Sequence, residues 1–224
     1  MAKSTSNQQK KNRTNWKHLF FELVVVFLGV TAGFLLNNWQ LQRQDQNLEK
    51  KYLNSFLEDV NSNITELEKS VVVDSLWLDR VMPQLILLRD NSFNSDSAAS
   101  LIKGIVQISR AGIQKGTYQA ITNSGNLNII TDYALKKQIV DYHQAINSVE
   151  FIDDYFYQYF NDFVMPFVFA NFSVLKEKLN NPIVIKTVEF ENVIAGYASM
   201  VQQRKDAYQD LLDKSYALKN VLEK

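Results

Sequence analysis

One apolar run near the N-terminus constrains this chain more than any other feature. From Leu19 to Leu36 the sequence reads LFFELVVVFLGVTAGFLL, eighteen residues with a single charge. As an α-helix the run is about 27 Å long, close to the ~30 Å hydrocarbon core of a bilayer. Trp16 and Trp39 flank it, where indole rings favour the two headgroup regions. The pattern predicts a transmembrane helix over residues 19–39, anchored in the lipid bilayer by these two tryptophans.

Similar apolar runs also occur in signal peptides and in the core helices of soluble domains. A cleaved signal peptide usually has an apolar stretch of about 7–15 residues and then a small-residue cleavage site. This run is longer, and no such site follows it. A core helix of a soluble domain is the second alternative, which the flanking tryptophans disfavour. We therefore expect the segment to stay in the mature protein.

The orientation of the span is predicted from its flanking cations. Five basic residues precede it without an acidic residue among them: Lys3, Lys10, Lys11, Arg13 and Lys17. Three follow it closely: Arg43, Lys50 and Lys51. Because Lys and Arg are retained on the cytoplasmic side, we expect residues 1–18 to form a cytoplasmic tail. Residues 40–224 then form a periplasmic domain of a bacterial inner-membrane protein.

The predicted span has one face that differs from the rest. At about 100° per residue, Gly29 and Gly33 lie within about 20° of the direction of Glu22, and Asn37 lies near the same line. The two glycines form a G-x-x-x-G step, which lets two helix backbones approach closely in lipid. The same step also occurs by chance in apolar segments. Glu22 either lies in a helix interface or reaches the membrane surface, with His18 as its i−4 partner.

Composition restricts the function classes. Twenty-four basic and 24 acidic residues leave no net charge, so nucleic acid is not an expected partner. The chain has no cysteine, which excludes thiolate catalysis and disulfides. We find no nucleophile elbow, phosphate loop, nucleotide fingerprint or metal-ligand pair, and we therefore predict no catalytic residues, metal or cofactor.

The remaining residues predict an all-α fold. Seven glycines and three prolines are few for a β-sandwich or barrel. Apolar residues recur at steps of three and four from Leu53 to Val71, which predicts an amphipathic helix that continues outward from the span. Further helices follow, giving an extramembrane bundle of about five to seven helices after the transmembrane helix. Pro83 is expected to kink or break the first of them.

Local signals predict where these helices begin and end. A helix is expected from about Ser97 to Gly112. Gly125 is placed to end a short helix because glycine readily adopts a left-handed conformation. Thr131 and Thr187 are predicted to cap the next helix and the last one. The QQRKD segment at 202–206, in the middle of the last helix, is expected to be exposed.

Aromatic residues are concentrated between Phe151 and Phe172, where ten of 22 residues are Phe or Tyr. On a helix they form two adjoining faces, so this helix would be covered on two sides. A central core helix is one interpretation. The alternatives are an aromatic ligand pocket or a partner surface. The candidate residues are Tyr155, Phe156, Tyr159, Phe160, Phe163 and Phe167.

Three polar residues near this segment have ordinary interpretations. Asp153 and Asp154 point in different directions on a helix and are predicted to be solvated rather than catalytic. His143 has no second histidine or Glu-x-x-His pattern beside it. We therefore interpret His143 as a residue at the edge of the core.

Several short motifs together resemble a known family. They are Glu22, the apolar run with Gly29, the Asn37-Asn38-Trp39 box, Thr117-Tyr118, Ser124-Gly125 and Leu127. The chain resembles a domain-of-unknown-function family of single-span envelope proteins common in Bacteroidota, whose membrane segment contains Glu and ends in Asn-Asn-Trp. The resemblance covers most of the chain. It implies an inner-membrane location and a helical outer domain, and it implies no activity.

Two functions agree with these features. The first is a membrane-anchored, non-catalytic accessory or structural subunit that forms a homo-oligomer or binds another membrane protein. The alternative is a periplasmic small-molecule sensor that uses the aromatic segment and signals through a partner. An enzyme is the third and least supported reading of the sequence.

Overall fold

The computed structural model describes residues 16–90, 92–105 and 109–223. The chain forms two compact units, Met1–Leu48 and Glu49–Lys224, called here the N-terminal unit and the C-terminal unit. Helix α1, Trp16–Arg89, contributes residues to both. Four of the five basic residues that precede the span, namely Lys3, Lys10, Lys11 and Arg13, lie outside the described residues.

Helices dominate the rest of the chain. They are α2 Ser95–Ile105, α3 Gly116–Asn123, α4 Tyr133–Tyr159, α5 Met165–Asn171 and α6 Val188–Leu222. Two 3₁₀ turns, Asn126–Ile129 and Pro182–Lys186, and one π-helical turn, Phe160–Val164, connect or extend them. A minimal antiparallel pair joins β1, Phe172–Ser173, to β2, Lys178–Leu179. The prediction of an all-α fold is confirmed.

The first part of α1 has the composition of a membrane span. It is long and apolar enough to cross a bilayer, and its apolar residues are exposed rather than buried within the chain. The prediction of one long apolar helix near the N-terminus is therefore confirmed. Good helix formers after Trp39 allow the helix to continue, and its buried residues then include Phe56, Val60, Ile64 and Leu67.

Pro83 was predicted to kink or break the helix, and it does not break it, since α1 extends past it to Arg89. A proline in a helix interior removes one backbone hydrogen bond, because it has no N–H group to donate to the carbonyl of residue 79. The helix tolerates this loss where its neighbours Leu78 and Val81 are buried in the core.

The predicted turns and caps are mostly observed. Gly125 follows α3 with φ of 72°, the left-handed conformation expected of it. The Thr187 hydroxyl accepts a hydrogen bond from the Phe190 N–H at 3.2 Å and caps α6. The prediction for Thr131 is wrong, because the neighbouring Asp132 caps α4 by accepting from two backbone N–H groups. A carboxylate is also favoured there by the helix dipole.

Helix α2 differs from its predicted bounds of about 97–112. It begins at Ser95 and ends at Ile105, and residues 109–112 are not helical. The Asn94 side chain accepts a hydrogen bond from the Ser97 N–H at 2.8 Å, which fixes the earlier start. Further along the chain, the Gln114 backbone hydrogen-bonds to the Asn63 side chain of α1.

Two apolar clusters form the core of the C-terminal unit. The first cluster combines the 56–67 part of α1 with the first half of α4 and the second half of α6. The second cluster combines the 77–81 part of α1 with α2, the end of α4, α5 and the start of α6. Helix α6 therefore lies against both clusters along its length.

A close approach between α4 and α6 explains one glycine. The Tyr159 hydroxyl donates to the carbonyl of Asn192 at 3.1 Å. A Cβ atom at Gly196 would lie 2.1 Å from the Tyr159 oxygen and 2.7 Å from its ring carbon Cζ. Only glycine therefore lets the tyrosine reach the α6 backbone here.

Candidate functional site

The distinctive face of the membrane-type segment is open. Glu22, Gly29, Gly33 and Asn37 lie on α1 and are exposed. A Cβ atom added at either glycine would meet nothing within 4 Å apart from its own helix. This face is therefore available to lipid or to a second helix.

The two tryptophans predicted as interface anchors are also exposed. They lie 23 residues apart on α1, which corresponds to about 35 Å along the helix axis. The Arg43 guanidinium carbon lies 4.4 Å from the ring centroid of Trp39, a cation–π distance. Trp39 therefore combines an aromatic ring with a neighbouring cation, as suits a headgroup region.

The six aromatic candidates do not share one pocket. Phe156 and Phe167 are buried in the second apolar cluster, and Tyr159 and Phe160 pack against it. Tyr155 and Phe163 are more than half exposed. The segment thus combines a core helix with outward-facing aromatic residues, which also include Phe151 and Phe169. Five cavities among the described residues are each lined by other side chains.

Sequence reasoning missed a buried ion pair between α1 and α6. Asp74 and Arg204 are each 1% exposed. The Arg204 Nε donates to one Asp74 carboxylate oxygen at 2.9 Å, and its Nη2 donates to the other. The expectation that segment 202–206 is exposed is therefore wrong at Arg204. Its position, three residues after buried Val201, was the available signal.

The same guanidinium connects the two apolar clusters. Its carbon lies 4.2 Å from the ring centroid of Phe156 and 5.7 Å from that of Tyr208. Phe156 belongs to the second cluster and Tyr208 to the first. The Nη1 atom of Arg204 is buried and has no hydrogen-bond partner among the described residues. The charge is therefore held by Asp74 and two aromatic faces.

Asp153 is the second buried acid, so the prediction that it is solvated is wrong. It is 2% exposed, and the Tyr208 hydroxyl donates to its carboxylate at 2.7 Å. The Arg110 Nε lies 3.5 Å from the other carboxylate oxygen. Asp154 is exposed as predicted and also pairs with Arg110. Asp153 lies four residues after buried Val149, on the buried stripe of α4.

Burial controls the protonation of these groups. It raises the pKa of Asp74, although the hydrogen bonds and charge of Arg204 oppose the rise. It also raises the pKa of Asp153, against hydrogen bonding from Tyr208 and the charges of two arginines. The pKa of the Tyr208 hydroxyl is raised by burial and then by the Asp153 charge. The tyrosine therefore stays a neutral donor.

A separate neutral network attaches the 109–115 loop to α1. Asn63 is fully buried, and its side-chain amide exchanges two hydrogen bonds with the Gln114 backbone, at 2.6 and 2.9 Å. The same amide nitrogen donates to the Tyr142 hydroxyl at 3.0 Å, and the Ser215 hydroxyl lies 3.1 Å from that oxygen. Asn63 thus binds the loop as a neighbouring strand would.

His143 is at the edge of the core, as expected. Its ring stacks on Tyr118 with centroids 3.8 Å apart, and burial followed by the Lys115 charge lowers its pKa. Lys115 forms an ion pair with Glu150 nearby. In the part of the chain that the structure describes, no group of three acidic or imidazole side chains could hold a metal ion. The stacked, neutral ring supports packing.

The C-terminal unit also exposes one apolar face of α1. Five side chains lie within about 100° of helix surface, on the side opposite the buried residues. They are Val72, Leu76, Pro83, Ile86 and Leu87, all exposed. We call them the exposed α1 face. Leu76 is 51% exposed and Ile86 53%. Asp79 is the charged residue at its centre.

No family model, curated protein or solved structure matches the chain in the three comparisons made. The resemblance to the Bacteroidota family therefore stays a prediction. The function has to be inferred from the residues described above.

Proposed function

We propose that this protein is a membrane-anchored, non-catalytic accessory or structural subunit that associates with itself or with another envelope protein. In this proposal residues 19–39 cross a bacterial inner membrane. Residues 1–18 are cytoplasmic, and residues 40–224 form a periplasmic helical domain.

The observation that carries the proposal is the exposed α1 face. Apolar side chains on a water-soluble surface are usually scattered, whereas this helix presents five of them on one side over residues 72–87, where Asp79 interrupts them. Burying such a stripe against a partner gains about 25 cal/mol for each Å² of apolar surface removed from water. The stripe is thus suited to a protein contact.

The membrane-type segment supports the same proposal independently. The exposed glycine step with Glu22 leaves room for a second helix against α1. A helix contact in lipid depends on such close packing, because lipid provides no hydrophobic driving force between helices. Association through either surface needs no catalytic group.

Purification in a mild detergent, followed by intact-complex mass spectrometry, tests the proposal. We expect the full chain to come out as a homo-oligomer or with a stoichiometric membrane-protein partner. A protein that comes out alone and monomeric at native expression levels would contradict the proposal.

Two variant sets separate the two surfaces. L76E with I86E places two charges on the exposed α1 face and should reduce association strongly. I183E with V188E is the matched control, because these residues are also exposed and apolar but lie outside that face. G29L with G33L tests the membrane segment. If L76E with I86E and G29L with G33L both associate as the unaltered protein does, neither surface makes the contact.

A further inference from the structure

A groove lies between α1 and α2 in the C-terminal unit. Its volume is about 450 Å³. Residues 77–84 of α1 form one wall, and residues 97–104 of α2 form the other. This volume falls in the range of about 300–1,000 Å³ that is typical of small-molecule sites. The groove is separate from the aromatic segment and from the buried ion pair.

The groove contains one positive and one negative side chain. Asp79 and Arg80 both line it and both are exposed. In residues 16–90, 92–105 and 109–223 neither forms an ion pair within 4 Å. The other lining residues are neutral. A ligand with a single charge would therefore meet one favourable and one unfavourable group.

Neutral polar groups complement these charges. The Gln84 side chain lines the groove, and its Oε1 is buried without a hydrogen-bond donor among the described residues. A buried acceptor of this kind favours a ligand that carries N–H groups. The Ser97 and Ser100 hydroxyls on the opposite wall can donate or accept.

Apolar groups line the rest of the groove. Trp77, Pro83 and Leu101 lie along it. A Cβ atom at Gly104 would lie 3.1 Å from the Trp77 Nε1, so a larger residue there would crowd the indole. The small residue thus lets α2 pack closely against the indole, which lines the groove although it is only 7% exposed.

We propose that this groove binds a small zwitterion with an apolar portion, the chemistry of a free α-amino acid with an apolar side chain. Arg80 binds the carboxylate, and Asp79 and the Gln84 carbonyl accept from the ammonium group. The Trp77 ring and Leu101 contact the apolar side chain. The groove borders the exposed α1 face, since Asp79 and Pro83 belong to both, but binding of this ligand needs no protein partner.

The experiment uses the tryptophans as reporters. The chain has three, at positions 16, 39 and 77. In the full chain, labelled with ¹⁵N-tryptophan and held in detergent micelles, the Trp77 indole signal is assigned by exclusion with W16F and W39F. Leucine, methionine and phenylalanine are then added separately. We expect at least one to shift the Trp77 signal saturably while the other two signals stay in place.

Single-charge analogues test the recognition. For leucine these are 4-methylpentanoate, which lacks the ammonium group, and 3-methylbutylamine, which lacks the carboxylate. Each should bind about tenfold more weakly or worse, because each loses a charged hydrogen bond. R80Q and D79N should weaken binding of the zwitterion to a similar degree. R89Q, at the exposed end of α1, is the control and should not change it.

A steric variant completes the test. S100L fills the groove without removing a charge and should abolish the shift, whereas S92L, outside the groove, should not. Circular dichroism verifies that each variant is folded. The proposal is overturned if none of the three amino acids gives a saturable Trp77 shift, or if binding persists in S100L. Equal binding of the single-charge analogues would also overturn it.

Discussion

Two buried polar networks join α1 to the later helices of the C-terminal unit, and their chemistry differs. The neutral network around Asn63 pairs amide, hydroxyl and backbone groups with one another. The charged network around Arg204 places two carboxylates and a guanidinium between two apolar clusters. Both are almost inaccessible to water. The neutral network should be insensitive to pH, whereas the charged one depends on which acids are ionised.

Hydrogen bonding satisfies the two networks to different degrees. Asn63 forms hydrogen bonds through both its amide nitrogen and its carbonyl oxygen, and the Tyr142 hydroxyl accepts hydrogen bonds from two neighbours. Arg204 keeps one buried nitrogen without a partner in the part of the chain that the structure describes. Removing one member of a buried ion pair is strongly destabilising, because the other charge is left buried without a partner. In the neutral network, in contrast, each hydrogen bond should add its own contribution to the stability of the loop.

The largest effect is expected from R204M. This change leaves Asp74 buried beside an apolar side chain, so the unfolding free energy should fall by about 3–5 kcal/mol at neutral pH. Chemical denaturation of the full chain in detergent, followed by circular dichroism, measures it. The double variant D74L with R204M should recover most of the loss. A single-variant loss below about 1 kcal/mol would show that the pair is not desolvated.

N63A should have the next largest effect. It leaves the Gln114 N–H and carbonyl groups and the Tyr142 hydroxyl without this partner, which should cost about 2–3 kcal/mol. The same denaturation experiment measures the loss. S62A changes an exposed neighbour on the same helix and should leave stability unchanged. If the loss for N63A varied with pH, the network would not be the neutral one described here.

Removing one hydroxyl from each network sharpens the comparison. Y208F removes the hydroxyl that donates to Asp153, and Y142F removes the hydroxyl that accepts from Asn63. We expect Y208F to lose about 1.5–3 kcal/mol at neutral pH, because its hydroxyl binds a carboxylate, and Y142F to lose about 1 kcal/mol. At mildly acidic pH the Y208F loss should shrink as Asp153 becomes protonated. The Y142F loss should stay constant, and a parallel change in both variants would contradict the distinction.

The smallest effect is expected from D153N, and it should appear mainly in how the unfolding free energy changes with pH. In the folded protein the pKa of Asp153 is raised above 3.8, so the folded state binds more protons than the unfolded state just above that pH. Stability of the unaltered protein should therefore fall as pH rises through this window, relative to D153N. Asparagine still accepts from Tyr208. Unfolding free energies at several pH values measure the difference, and a constant difference would show that Asp153 does not titrate differently on folding.

Hydropathy patterns predicted much of this fold because they record local geometry. The long apolar helix, the amphipathic stripe after Leu53, the turn at Gly125 and the cap at Thr187 all depend on residues close in sequence. The cap predicted at Thr131 was one residue too early, because the neighbouring aspartate caps the same helix with its carboxylate. These features require no knowledge of distant contacts.

The charged network could not be predicted in the same way. Asp74 and Arg204 are 130 residues apart, and each looks like a surface residue when considered alone. Their positions on the buried stripes of α1 and α6 were the only signal, and charged residues at such positions are buried mainly when a distant partner exists. The aromatic segment was interpreted correctly only in part, since Tyr155 and Phe163 face outward while Phe156 and Phe167 lie in the core.

The π-helical turn at Phe160–Val164 bears on how the length of this chain can vary. A π turn has the geometry of an α-helix that has received one extra residue. It lies between Phe156 and Phe167, which are both buried in the same cluster. Deleting exposed Asn161 would convert the turn into ordinary α-helix and keep both phenylalanines in phase. This short segment is therefore a place where the chain should tolerate the loss of a single residue without rearranging its core.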